Sequence, residues 1–258
     1  MKVVILCGGL GTRLREETEY RPKPMIDVGG RPILWHIMKG YAHYGIKDFV
    51  ICTGYRGDVI KEYFLNYEAA NNDFTICLGS RSQIEYHGAH TEQNFRVTVA
   101  DTGHDTMTGG RIKRIQRYID DETFAVTYGD GLADVNFAEL LAFHRGHGKL
   151  ATVTAVQPSS RFGVLEVDDA GGVRSFAEKP KLEGFTSAGF FVFQRRVFDY
   201  LHGDDCILER EPLEQIAREG QLMAYRHQGF WYAMDTYREY KQLNEIWAAG
   251  KPPWKVWD

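Results

Sequence analysis

The sequence predicts an α/β protein: a mostly parallel sheet flanked by helices, with an inserted antiparallel β region. Three observations predict it. Short β-branched apolar runs alternate with segments whose apolar residues recur every 3.6 positions. A glycine-rich loop follows the first of those runs directly. The alternation is interrupted by Gly163-Val-Leu-Glu-Val, Asp169-Ala-Gly-Gly172 and Val173-Arg-Ser-Phe176, two short alternating segments around a turn, which read as a hairpin.

Lys2 to Leu6 is too short for a helix, is rich in Val and Ile, and stops at Gly8-Gly9, so it reads as a buried strand. Ile33, Leu34, Ile37, Met38, Tyr41 and Tyr44 form one helical face between Pro32 and Gly45. Asp48 to Thr53 is a second buried strand, and Val59, Ile60, Tyr63, Phe64 and Tyr67 mark a second helix. Strands are expected at Phe74 to Leu78, Phe95 to Ala100 and Phe124 to Tyr128, with a helix through Ile112, Ile115 and Ile119. A helix from Phe137 to His147 and a strand from Leu150 to Val156 precede the hairpin. A strand at Phe190 to Phe193, a helix around Pro212 to Arg218, a strand at Leu222 to Tyr225 and a helix from Tyr237 to Ala249 follow it. No linker, repeat or low-complexity stretch divides the chain, so one domain is expected over 1–258. Its wound, Rossmann-like core would take about 1–157 and 222–258, with a β region over about 158–221.

With 31 Lys plus Arg against 35 Asp plus Glu, the net charge of −4 argues against a nucleic-acid binder. A composition 43% hydrophobic and 26% charged is that of a globular chain, with no apolar run near the ~18 residues of a membrane span and no signal-peptide pattern. A cytoplasmic protein is expected. Cys7, Cys52, Cys77 and Cys206 form no Cys-x-x-Cys and read as reduced core or near-core thiols. The pairs His87/His90 and His144/His147 lack further ligands at zinc-site spacing and read as solvated or core-edge residues. Trp247, Trp254 and Trp257 are expected to pack against the body or a neighbouring subunit.

The loop Gly8-Gly9-Leu10-Gly11-Thr12-Arg13 sits where open α/β sheets bind ligands. Its glycines let backbone N–H groups approach anionic oxygens, and Arg13 adds a fork suited to phosphate. A dinucleotide fingerprint would need glycine where Leu14 stands, and a P-loop would need Gly-Lys-Ser/Thr, which is absent. In Arg21-Pro22-Lys23-Pro24-Met25, two prolines fix the backbone around Lys23. Asp130, between Gly129 and Gly131 at the end of a buried strand, is placed to hold Mg²⁺. Asp235, 105 residues later, could by itself be only the N-cap of the last helix. Thr108-Gly109-Gly110-Arg111 offers backbone groups at close range before another helix.

The Gly-Gly-x-Gly-Thr-Arg-Leu loop followed by Lys23-Pro24-Met25 resembles the start of the sugar-phosphate nucleotidyltransferases. The resemblance extends through Tyr128-Gly129-Asp130-Gly131, Phe176-Ala-Glu-Lys-Pro180, Gly189-Phe-Phe-Val192 and Phe230 to Thr236. Pro32 to Met38, Asp101-Thr-Gly103, Met107 to Arg111 and Pro253-Trp-Lys255 are similar to the glucose-1-phosphate cytidylyltransferase branch.

That resemblance implies an enzyme using CTP, a sugar 1-phosphate and Mg²⁺ to make CDP-glucose for surface polysaccharide, as a homo-oligomer, a hexamer or other assembly. It implies that Leu6, Gly8, Gly9, Leu10, Gly11, Thr12, Arg13, Lys23, Thr108, Gly109, Gly110, Arg111 and Gly129 bind the nucleotide. Arg13 would hold the leaving pyrophosphate, Lys23 the α-phosphate, and Asp130 with Asp235 the metal. Gly163, Glu178, Lys179, Ser187, Gly189 and Trp231 would bind the sugar phosphate, with Ser187 standing where relatives commonly carry Asn. Removing either crowded carboxylate would leave unliganded stability unchanged or higher. The alternatives are a UTP- or dTTP-dependent transferase, a nicotinamide dehydrogenase, opposed by Leu14, and a non-catalytic sensor, opposed by the presence of Lys23, Asp130, Lys179 and Asp235 together.

Overall fold

A computed structural model describes residues 1–11, 14, 18–79, 83–158, 160, 162–181 and 183–258. Seven strands form the central sheet: β1 (Lys2–Cys7), β2 (Asp48–Thr53), β3 (Arg96–Asp101), β4 (Thr123–Tyr128), β5 (Ala151–Val156), β6 (Thr186–Gln194) and β7 (Leu222–Arg226). Their order is β7-β5-β6-β4-β1-β2-β3. Every neighbouring pair is parallel except those made by β6, which runs antiparallel to both β5 and β4. Alternate residues of β1 enter two different cores, Val3, Ile5 and Cys7 on one face and Val4 and Leu6 on the other. A strand buried on both faces reads as a continuous apolar run, which is why this one was legible.

Among the described residues, the α-helices are α1 (Ile33–His43), α2 (Gly57–Leu65), α3 (Tyr67–Asn71), α4 (Thr108–Arg114), α5 (Phe137–His147), α6 (Glu211–Arg218) and α7 (Tyr237–Ala248). Helix α1 starts after Pro32 and buries Ile33, Leu34, Ile37, Met38 and Tyr41. It ends at Gly45, whose φ of +78° lets the next amide, that of Ile46, return to the Tyr41 carbonyl. Trp247, Trp254 and Trp257 close around His36 on this helix, so the C-terminal tryptophans pack against the body of the chain.

The structure corrects or refines several sequence expectations. The apolar run Phe74 to Leu78 contributes no strand to the central sheet: Asp73–Ile76 pairs antiparallel with Ile84–His87 in a separate ribbon whose residues are all exposed. Its alternation carries no information on which sheet it joins. Cys77 is exposed, unlike the buried Cys7, Cys52 and Cys206. The strand expected at Phe190 to Phe193 spans Thr186–Gln194 and runs through the middle of the central sheet. Within 158–221, the hairpin Val164–Val167 with Val173–Ala177 does stand apart, solvent-exposed along its whole length. His144 lies fully inside, bonded to Thr152 Oγ1, rather than at the core edge.

Candidate active site

The cleft lies at the C-terminal ends of β1 and β4, has a volume of about 380 Å³, and is lined by the glycine loop, Lys23, Thr108, Arg111, Asp130 and Asp235 among others. The 105-residue gap between the aspartates is closed by a short ribbon. Gly131–Ala133 pairs antiparallel with Trp231–Ala233, Ala233 opposite Gly131, and the Met234 amide donates to the Asp130 carbonyl at 2.9 Å. The two carboxylates therefore leave the same end of the ribbon. The amides of Asp235 and Thr236 both donate to Glu239 Oε2 at 2.8 Å, and Thr236 occupies the N-cap of α7. Asp235 is one residue too early to be that cap, and its side chain faces Lys23 instead.

Lys23 opens a single 3₁₀ turn, Lys23–Met25, bounded by Pro22 and braced through the buried Pro24. A Cβ on Gly129 would meet Pro24 Cγ at 2.8 Å and the Leu6 carbonyl at 3.0 Å. Glycine at 129 is thus what lets the proline turn seat against the start of the metal-candidate loop. The result is a three-membered contact: Lys23 Nζ lies 2.6 Å from Asp130 Oδ2 and 2.8 Å from Asp235 Oδ1. Burial works against the ammonium charge, but the two carboxylates outweigh it and hold the Lys23 pKa above its ordinary value. The ammonium also cancels the repulsion expected between two crowded carboxylates. The expectation that either one could be removed without loss of stability is corrected accordingly.

Arg111 is buried, and its guanidinium reaches the carbonyls of Gly8, Thr53, Gly103 and His104 and the Thr102 hydroxyl, all at 2.7 to 3.1 Å. It ties the glycine loop to the loop after β3. A Cβ on Gly8 would land 2.1 Å from Arg111 Nη1, so glycine there makes room for the guanidinium. Gly109 and Gly110 press against backbone as well: an added Cβ would meet the Cys206 carbonyl at 2.9 Å and the Asp204 carbonyl at 2.8 Å respectively. The Gly110 amide is spent on the Cys206 carbonyl. These glycines fix where Met107 and Thr108 enter the cleft.

Among the described residues, Leu6, Gly8, Gly9, Gly11, Lys23, Thr108, Arg111, Gly129, Asp130 and Asp235 line the cleft. Thr12 and Arg13 lie outside the described residues. Leu10, Gly109, Gly110, Gly163, Glu178, Lys179, Ser187, Gly189 and Trp231 are not among the residues lining it. Lys179 and Glu178 pair at 3.4 Å on an exposed segment, with Lys179 in the left-handed region at φ +49°. Gly189, at φ +80°, leaves room for the Tyr128 ring, and Trp231 Nε1 donates to the Ala188 carbonyl at 2.8 Å. Sequence reasoning missed Tyr128, Thr106 and Met107 as lining residues; the signal for Tyr128 was its place directly before Gly129-Asp130. Tyr128 OH donates to Glu209, which also accepts from Thr108 at 2.7 Å, a brace that no local motif announces.

The donor set is two carboxylates facing a cleft with room for phosphates, an all-oxygen set of the kind a hard divalent cation takes. The residues therefore fit such an ion. Among the described residues, no group of three or more His, Cys, Asp and Glu side chains gathers to hold a metal. The two carboxylates would be completed by substrate oxygens and water.

A glycine loop at the end of the first strand, a proline-fixed lysine and paired aspartates on an open α/β sheet define a phosphate-handling transferase. The chain belongs to the nucleotidyl transferase family, whose sequence profile matches residues 2–240. It is 52% identical, over the full length of both chains, to glucose-1-phosphate cytidylyltransferases of Salmonella typhi and Salmonella typhimurium. HddC from Yersinia pseudotuberculosis shares the fold, with a TM-score of 0.70 at 23% identity over 95% of this chain and 99% of that one. The family generally works with a divalent metal. Among the described residues, no helix is long and apolar enough to cross a membrane.

Proposed function

We propose that this chain transfers the cytidylyl group of CTP to α-D-glucose 1-phosphate, giving CDP-glucose and pyrophosphate. The observation that carries the reading is the cleft in which the glycine loop, Lys23 and two carboxylates converge, in a chain matched end to end by glucose-1-phosphate cytidylyltransferases. A phosphate oxygen of the sugar attacks the α-phosphorus in line and pyrophosphate leaves from the opposite side. The nucleophile is already an anion, so no covalent enzyme intermediate is required and catalysis is positioning plus charge neutralisation.

Lys23 binds the α-phosphate, where negative charge builds in the transition state, and Arg13 holds the departing pyrophosphate. Lys179 anchors the sugar phosphate, and Glu178 a sugar hydroxyl. Asp130 and Asp235 would hold Mg²⁺, which would supply charge neutralisation for the reacting phosphates. Met107 and Thr108 flank the base, where an acceptor facing the cytosine N4 amino group would be left unpaired by uracil or thymine.

The protein works in the cytoplasm, in keeping with four free cysteines. It acts as a homo-oligomer, hexameric by family resemblance, and exposed apolar side chains such as Phe74, Ile84 and Tyr86 on the separate ribbon give a partner copy something to cover.

The test is pyrophosphate release with glucose 1-phosphate and each nucleoside triphosphate in turn. CTP should give the highest kcat/KM. A value equal or higher with UTP or dTTP would reject the cytidylyl assignment and leave the transferase class standing.

A further inference from the structure

The position between Asp130 and Asp235 already holds a cation. Lys23 Nζ touches one oxygen of each, at 2.6 and 2.8 Å, and those carboxylates are the ones a divalent ion would use. We propose that Lys23 is the resident counter-ion of this pair, and that a divalent metal enters only as the ammonium leaves the carboxylates for the phosphate of an incoming nucleotide. This rests on the reading of Asp130 and Asp235 as metal-holding residues.

The charge count supports an exchange rather than a shared site. Taken by themselves, Lys23, Asp130 and Asp235 sum to one negative charge. A metal added beside the ammonium would make the centre net positive and set two cations a few ångströms apart, a repulsion that a partly desolvated site strengthens. The lysine side chain is only 13% exposed, so solvent screens that repulsion poorly. A triphosphate removes the conflict by giving the ammonium a new partner and the metal further oxygens.

The backbone shows which part moves. Lys23 is pinned by Pro22, by the buried Pro24 and by the contact of that ring with Gly129. With the turn held in this way, the exchange is a swing of the four-carbon side chain about a stationary Cα. The protein then keeps its carboxylates partly neutralised without metal and admits metal together with the substrate that needs it.

Manganese binding to the whole, nucleotide-free protein tests this, read by electron paramagnetic resonance of free Mn²⁺ with circular dichroism as a check of folding. Wild type should bind Mn²⁺ weakly, and Lys23→Met should bind it at least about tenfold more tightly. Adding Asp130→Asn to Lys23→Met should remove that gain. Equal affinity in wild type and Lys23→Met, abolished by Asp130→Asn, overturns the exchange while leaving the metal reading intact. Binding indifferent to Asp130→Asn overturns both. Should Lys23→Met not fold, Lys23→Gln takes its place: nucleotide-free Mn²⁺ affinity raised to a similar degree supports the exchange, and affinity equal to wild type contradicts it.

Discussion

Arg111 shows what a residue type alone does not disclose. An arginine beside a glycine pair in a nucleotidyltransferase invites a nucleotide-binding role, yet five acceptors from two loops and the end of β2 surround its guanidinium. The sequence holds no signal for that, because the acceptors are carbonyls, which every residue carries. Asp235 is the opposite case. Spacing alone left it as a possible helix cap, and the family resemblance moved it to the cleft, where the structure has it facing Lys23 while Thr236 takes the cap. Lys179 is the residue whose role depends most on the substrate being present: it is half-exposed, strained at φ +49°, and pairs with Glu178. Backbone strain held at an exposed lysine is a pattern of ligand-binding positions. Lys179→Ala should raise KM for glucose 1-phosphate severalfold, with a smaller loss in kcat and little change in KM for CTP. Initial rates over both substrates check this, and wild-type constants for both would make the lysine a surface residue. Ser187→Asn in the same assay shows whether that departure from the family sets the sugar preference.

At the scale of elements, most of the helices and buried strands were legible because a single period runs through each. Helix α5 matches its expected span, Phe137 to His147, and its N-cap Asn136 accepts from the amides of Ala138 and Glu139. The start of α4 was not legible. Thr108-Gly109-Gly110 read as a loop offering its backbone to a base, whereas the glycines are there to meet the chain at Asp204 to Cys206. Contacts with a segment about a hundred residues away leave no local trace. Gly110→Ala would place a methyl 2.8 Å from the Asp204 carbonyl and 2.9 Å from its Cα, so the helix start must shift. The expected cost is about 1–3 kcal/mol of stability. Met107 and Thr108 would shift with the helix start, so KM for CTP should rise more than KM for the sugar phosphate. Urea unfolding and steady-state kinetics on one preparation measure both effects; an unchanged KM for CTP would remove this segment from the nucleotide site.

For the whole molecule, the alternation of strands and helices gave the class, but strand order depends on pairings between distant segments. The antiparallel β6 between β5 and β4 is the clearest instance, since its apolar run looks the same in either direction. Folding as one body also sets a pH dependence. His36 and His144 are buried, and burial first of all pushes both imidazoles down to about 4 from an ordinary 6.5. Neutral rings fit their partners: His36 Nδ1 accepts from Trp254 Nε1 at 3.3 Å while Nε2 bonds the Val28 carbonyl. The unfolded chain takes up protons between pH 6.5 and about 4 that the folded chain refuses. Stability should thus be full above pH 6.5 and fall as pH drops through that window, and His144→Gln should flatten the slope in urea titrations. The central claim, that Lys23, Asp130 and Asp235 form the reacting centre, is tested most directly by turnover of Asp130→Asn and Asp235→Asn with CTP, glucose 1-phosphate and Mg²⁺. Each should lose on the order of 10²-fold or more in kcat. Each should also keep a cooperative unfolding transition, modestly lowered because Lys23 retains one carboxylate partner. An Asp235→Asn enzyme that turns over within a few-fold of wild type, at any stability, would contradict the account.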